Sequence, residues 1–490
     1  TERGKWIGGA ARQSHVLAAG AIALVLLGIQ LSADPATGVT YSHSPFTDEG
    51  WSLLGARNFV LLGRWATDAW QLYVTQLPFS IVNALGFMLF GVGIIQARVV
   101  SMLCTVGAVL LVSWLVGRRC GAVPGLVAGV ALGTTSLLLY YGRLAILEPM
   151  VVLFLTGSAA ALLAGRRERW VRHGILAGAL AALAIGTKPS AAAPFVGILL
   201  GVLVVAPRGE PGMWRRTAIA CLVPAVLGTF WLTTVNLQAG LLDSIIRTWP
   251  DQFGGATAAE MMANLRAYPI GSDAAIPMTA PLLAAGGLGL LAAGARWRLL
   301  NLRQRQLVGA SVGWFVVGMA VLLVVPYRPN RYVLPMLPPL AMLAGVGSMV
   351  LLDLVRRSAR VNPWLQRGAI AVLVAAIAIP GVGRLAGWTA RATHRLPQIQ
   401  EEVLRLVTDG RAMQGGPAPN MGMRVPVPAI IVQREANDGD LYEEFGVRWV
   451  FGNRTTEPAW AGAHRQAWQE RELMVCYPWP SGEACLYRLP

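Results

Sequence analysis

The stretch Pro78-Phe79-Ser80-Ile81-Val82-Asn83-Ala84-Leu85-Gly86-Phe87-Met88-Leu89-Phe90-Gly91-Val92-Gly93-Ile94-Ile95 decides how the rest of the chain is read. It is apolar and close to the roughly 20 residues that a bilayer-spanning helix requires. Three glycines, Gly86, Gly91 and Gly93, interrupt it. Read as a span, it places the Arg118-Arg119 pair outside and inverts every later loop. Read as an interfacial or re-entrant segment, it leaves every later arginine-rich connector on the side of the basic N-terminus, which carries Arg3, Lys5 and Arg12. Cytoplasmic loops hold the excess of Lys and Arg in membrane proteins, so the interfacial reading is the consistent one.

Outward from that segment the spans alternate. The first covers 16–31. The others lie near 98–116, 122–141, 149–164, 173–187, 194–207, 217–236, 276–295, 307–326, 333–354 and 368–388, about eleven in all. Their inner connectors carry Arg118-Arg119; Arg166, Arg167, Arg169 and Arg172; Arg208, Arg215 and Arg216; Arg296, Arg298, Arg303 and Arg305; and Arg356, Arg357, Arg360 and Arg367. The composition agrees: 55% hydrophobic, 13% charged and mean hydropathy +0.53 describe a polytopic helical membrane protein. The net charge of +16 sits in those connectors and sets orientation. No basic, aromatic-interleaved domain is visible, which argues against nucleic acid. The first span lacks a small-residue cleavage site and reads as retained. No internal repeat of the transporter kind is visible.

The opposite face collects a different set: a first outer loop at 32–95, then Arg143 to Glu148, Lys188-Pro189, about 237–275, Tyr327 to Arg331, and the polar tail. The expected fold is therefore an all-α polytopic membrane domain, 1–389, followed by a small extracytoplasmic α/β domain, 390–490. Within the first outer loop, 50–65 reads as an amphipathic helix. The tail shows a helix-like 397–408, a Gly/Pro-rich join at 415–428, and strand-like runs at 428–433, 447–451, 472–477 and 485–489. Cys476 and Cys485 form a disulfide if the tail is extracytoplasmic. Cys104, Cys120 and Cys221 read as inert core thiols, and there is no metal-type Cys/His cluster.

Candidate chemistry lies on that outer face. His43-Ser44-Pro45-Phe46-Thr47-Asp48-Glu49-Gly50-Trp51 follows the first span and offers two adjacent carboxylates. A carboxylate beside a membrane cavity can act as a general base. Adjacent helical residues point about 100° apart, so Asp48 and Glu49 should have different partners, one of them a salt-bridge or metal partner. The alternative is a solvated pair capping the helix that starts near Gly50. Arg143 and Glu148 either pair with each other or help build an anion pocket. Lys188, one of only two lysines, either snorkels to the interface or meets a lipid phosphate. Arg328 and Arg331, flanked by prolines, take lipid headgroups or a bound phosphate. The outer loop with Arg247, Trp249, Asp251, Arg266 and Tyr268 suits an interfacial helix that gates a lipid.

Taken in order, these pieces resemble the GT-C membrane glycosyltransferases, in particular the protein O-mannosyltransferase and aminoarabinose-transferase branch. The matching residues are Asp48-Glu49-Gly50-Trp51, Leu77-Pro78 with Phe90-Gly91, Ala97-Arg98-Val99, Arg143-Leu144-Ala145 with Glu148-Pro149, Thr187-Lys188, and Arg331-Tyr332 with Leu334-Pro335. They cover about 40–340. The sequence departs from the family in having a single proline at Leu77-Pro78 and Glu148 where many relatives have Asp.

The resemblance implies an inverting enzyme of a bacterial or archaeal inner membrane. It would move a sugar from a polyprenyl-phosphate donor to an acceptor (lipid, glycan or protein) at the outer face. Asp48 would be the base, with Glu49 beside it. Arg98, Arg143, Lys188, Arg328, Arg331 and Tyr332 become candidates for the donor phosphate, and His43, Glu148 and Arg247 further site candidates. No cofactor is required; a divalent cation, if one is used, would sit at Asp48 and Glu49. Two other readings compete. One is a catalytically silent GT-C-like subunit of a larger membrane complex. The other is a lipid-carrier flippase, which should show more polar residues at mid-membrane depth than this chain does.

Overall fold

A computed structural model of the chain describes residues 13–36, 44–70, 72–164, 169–205, 211–237, 257–267, 275–325, 329–357, 363–432, 437, 439–454, 457–479 and 482–490. Each of the eleven expected spans coincides with a helix or a broken helix: α1 (Ser14–Gly28), α4 (Ile94–Cys120), α5 with α6 (Ala122–Gly133, Ser136–Tyr141), α7 (Glu148–Ala164), α8 (Trp170–Thr187), α9 (Ala192–Val205), α10 (Pro211–Leu237), α12 (Ala275–Ala295), α13 (Leu302–Val324), α14 (Leu337–Arg357) and α15 (Pro363–Thr389). Outside the spans lie α2 (Glu49–Leu62), α3 (Leu77–Phe90), α11 (Ala258–Ala267) and α16 (Arg395–Leu406). Among the described residues, six helices are long and apolar enough to cross a membrane, and five shorter apolar helices accompany them.

The expected span 122–141 is not one helix. It breaks at Thr134-Thr135, whose hydroxyls donate back to the Val130 and Ala131 carbonyls. Such back-bonding bends helices, and α15 approaches the break closely at Gly381, where a side chain would collide with the Thr134 carbonyl.

By length and hydropathy, 73–90 has the makings of a span. Its surroundings show a helix lying across one end of the bundle. At its start, Gln76 donates to the Ser52 carbonyl, and Pro78 lies against Gly186, two residues before Lys188. At its end, Gly91 takes a left-handed φ of 83° and turns the chain into α4. One turn further on, Arg98 holds Glu49 of α2. Both ends of α3 are thus tied to the same level, and its exposed face, including Leu85, Met88, Leu89 and Phe90, is apolar. That is the character of an interfacial helix.

α4 separates the two ends of the molecule. Arg98 sits near its start and Arg118 near its end, about 30 Å apart at 1.5 Å per residue. Arg119 donates to the Arg303 carbonyl, and Arg118, Arg216 and Arg303 crowd it electrostatically. The arginine connectors therefore gather at the end away from α2. Within the bundle, α9 and α13 meet backbone to backbone: a side chain at Gly201 would collide with the Gly309 carbonyl, and one at Gly197 with the Gly313 carbonyl. We expect Gly201→Val to cost about 3 kcal/mol or more, because backbone cannot yield as a side chain does. A thermal unfolding scan of the purified protein checks this, and an unchanged Tm would refute it.

The tail is a five-stranded sheet of order β2-β1-β3-β5-β4. Its strands are β1 (Met413–Gln414), β2 (Ala429–Ile430), β3 (Trp449–Gly452), β4 (Glu472–Trp479) and β5 (Gly482–Arg488). Cys476 and Cys485 are bonded across the β4–β5 hairpin. The short strand β1 escapes sequence reading, and the Gly/Pro-rich join contains a helical turn, Ala418–Met421. That turn packs on α2. A Cβ at Gly50 would strike the Pro419–Asn420 backbone, and Asn420 accepts from the Gly50 N–H. α2 is therefore not amphipathic in use: Glu49, Gly50 and every residue from Ser52 to Asn58 are buried.

Candidate active site

Asp48 occupies the N-cap position of α2. Its carboxylate is half exposed and pairs with the Arg331 guanidinium. Arg331 also reaches Glu148, Nε to Oε1 at 3.5 Å. Glu148 in turn holds Lys188 at 2.6 Å, and the Lys188 ammonium sits 3.7 Å over the Tyr332 ring. Residues from four distant parts of the chain thus form one alternating row of charge. Arg331 and Tyr332 stand in the 3₁₀ turn Asn330–Met336 that leads into α14. Lys188 ends α8 and Glu148 begins α7. Burial lowers the Lys188 ammonium from its usual value, and Glu148 opposes that shift.

Three other candidates are spent elsewhere. Glu49 is fully buried and takes a bidentate contact from Arg98, 2.7 Å to each oxygen, plus the Ala145 N–H at 2.8 Å. Burial alone would raise its carboxyl, but Arg98 and those hydrogen bonds hold it below the usual carboxylate range. Glu49 is an anchor, which corrects its assignment as a catalytic group. Both Glu49 oxygens already accept from donors. Arg98, buried itself, gives its remaining nitrogen to the Leu31 and Ala33 carbonyls. Arg143, also buried, donates to Gln30 and Asp34 carbonyls and lies 3.9 Å over the Trp388 ring. Arg98 has every nitrogen engaged, and Arg143, whose Nε alone lacks a partner, is 1% exposed, so neither presents itself to a cavity and both phosphate assignments are corrected. Nor do Arg143 and Glu148 pair: Glu148 belongs to Lys188. His43, Arg247 and Arg328 fall outside the described residues, as do Trp249, Asp251, Tyr268 and the Arg266 side chain.

Two cavities flank the charged row. A chamber of about 440 Å³ opens between α2, the bundle end and the tail. Asp48 and Arg331 line it on one side, and Phe451, Asn453, Trp479 and Glu483 of the tail on the other. A narrow cleft of about 20 Å³ adjoins Glu148 and Lys188 between α9 and α13, walled by Pro194, Val321, Leu322 and Met336.

Sequence reading missed the bolts that hold this arrangement. Arg57, buried in α2, donates to the carbonyls of Gly422, Met423, Val425 and Val427. Asp34 accepts from Thr393 and from the N–H groups of Arg395 and Leu396, capping α16. A lone arginine inside Leu53-Leu54-Gly55-Ala56-Arg57-Asn58-Phe59-Val60 was a legible signal, because a buried charge must find partners. Its partners, 365 and more positions away, were not.

A helical bundle with helices over one end, an Asp at the mouth and a compact tail domain above it is the GT-C fold. Over residues 78–236 it matches the family model described as dolichyl-phosphate-mannose-protein mannosyltransferase. Among solved structures it is similar to ArnT from Cupriavidus metallidurans in the apo state, at TM-score 0.67 and 15% identity, covering 99% of this chain and 98% of that one. ArnT bound to undecaprenyl phosphate aligns with TM-score 0.63 and 15% identity over 96% and 97% of the two chains. The archaeal oligosaccharyltransferase AglB from Archaeoglobus fulgidus, in complex with an inhibitory peptide and a dolichol-phosphate, follows at TM-score 0.58 and 10% identity, over 91% and 70%. No curated protein sequence matches.

Proposed function

We propose that this protein is an inverting glycosyltransferase that takes its sugar from a polyprenyl-phosphate carrier and works at the extracytoplasmic face of a bacterial or archaeal inner membrane. The carrying observation is the row Asp48–Arg331–Glu148–Lys188, whose Asp48 and Arg331 line the chamber. The neighbours' undecaprenyl phosphate and dolichol-phosphate support the same reading.

In this reading the donor phosphate lies at Lys188 and Arg331. Charge developing on the leaving phosphate is stabilised by two fixed cations in a partly desolvated site. Asp48, facing the chamber, takes the proton of the acceptor as it attacks the anomeric carbon opposite the phosphate. A single displacement inverts the configuration. Glu148 positions both cations. Glu49, Arg98 and Arg143 touch no substrate; they fix the chain on either side of Asp48.

Lys188→Ala and Arg331→Ala should each weaken undecaprenyl phosphate binding by about 10- to 100-fold, the worth of one charge-assisted hydrogen bond. Binding to the full chain in nanodiscs measures this, and wild-type affinity in both variants would sink the phosphate site.

A further inference from the structure

We infer that the chamber is an acceptor site for a neutral glycan, whose sugar hydroxyl is the group that receives the transferred sugar. This rests on the glycosyltransferase reading above and names the acceptor class for the same site.

The chamber's walls are aromatic. Phe46 and Trp51 line it from the first outer loop, Phe451 and Trp479 from the tail. Three of these rings are held by contacts. Trp51 donates its indole N–H to the Gly416 carbonyl at 2.9 Å, and Phe46 meets Trp479 edge to face with centroids 5.6 Å apart. Trp479 is carried on the hairpin that the Cys476–Cys485 bond closes. Rigid rings offer an electron-rich face to polarised C–H groups, and a sugar ring presents C–H groups on its faces and hydroxyls at its edge. Asn453 and Glu483 supply the edge partners beside those rings. A few convergent polar groups in an apolar pocket of this size are what orient a small ligand.

Charge argues against a phosphorylated acceptor. Among the described residues, the chamber's lining contains two carboxylates, Asp48 and Glu483, and a single cation, Arg331, which is already shared between Asp48 and Glu148. Arg454 pairs with Glu483 at 3.4 Å, but from a largely exposed position. A bound anion would face unfavourable like charge. Strand order argues against an extended peptide, which usually adds to a free sheet edge. Two of the lining strands, β3 and β5, are interior, and the edge strand β4 contributes only its last residue, Trp479.

The step balances. The acceptor oxygen forms a bond to the anomeric carbon, the bond from that carbon to the carrier phosphate breaks, the acceptor proton passes to Asp48, and the phosphate leaves with the electron pair against Arg331 and Lys188.

The test uses the full chain in nanodiscs and saturation-transfer NMR with methyl glycosides of hexoses and pentoses, maltotriose, and a Ser/Thr-containing peptide. We expect saturation on the ring C–H protons of at least one neutral glycoside. That signal should fall at least 10-fold in Trp479→Ala and be recovered in part by Trp479→Phe. Glu483→Gln and Asn453→Ala, which leave the rings in place, should weaken it too. Undecaprenyl phosphate binding, followed in parallel, should be the same in Trp479→Ala as in wild type. Binding of the peptide in place of the glycosides overturns the proposal, as does binding of undecaprenyl phosphate with no glycoside signal. Glycoside binding without undecaprenyl phosphate binding leaves the chamber a glycan site and removes the donor reading instead.

Discussion

Asp48→Asn is expected to cut sugar transfer by about 10²- to 10⁴-fold, the usual contribution of a positioned general base, and at the same time to tighten undecaprenyl phosphate binding by about 10-fold. The two effects have one cause. Arg331 holds the Asp48 carboxylate and also reaches Glu148, so in the empty site the base and the donor phosphate compete for one guanidinium. An amide at position 48 cannot take the proton, and it releases Arg331 to the phosphate. The gain in affinity must therefore vanish in an Arg331→Ala background, which separates a shared partner from simple removal of negative charge. Tighter binding that persists without Arg331 would refute the sharing. Full transfer activity in Asp48→Asn would refute the base.

The second large effect concerns stability. Arg98 and Glu49 form a fully buried ion pair. Arg98→Met should destabilise the protein by about 3–5 kcal/mol, because Glu49 is left as an uncompensated buried charge. Glu49→Gln should be milder, since an amide oxygen still accepts from the Ala145 N–H. The pH dependence follows from the depressed Glu49 carboxyl. Its contribution is fully present above the ordinary carboxylate range and is lost as pH falls through the lowered value. Wild type should lose Tm on acidification into that range, and Glu49→Gln should lose less. An equal acid response in the two proteins, or an unchanged Tm in Arg98→Met, would show that the pair carries no such weight.

Asp48 and Glu49 show how far adjacent letters mislead. Both are carboxylates at the start of one helix, and both fitted a base or a metal ligand. The rotation of about 100° between neighbours sends Asp48 to the chamber and Glu49 into the interior. Arg98 and Arg331 divide in the same way. Each is an arginine near the tail-bearing end of the bundle, and only packing decides that one is locked among carbonyls while the other meets the cavity.

What the sequence determined by itself is the helical bundle and the small sheet domain that follows it. These follow from hydropathy and from local alternation of apolar and polar residues, both written locally in the chain. The tertiary structure alone decided which of the charged groups are free to act, and that the tail domain forms half of the chamber. The reason is physical: burial and hydrogen bonding are settled by contacts such as Arg57 with Val427 or Gly50 with Asn420, between residues some 370 positions apart that leave no periodic trace in either segment.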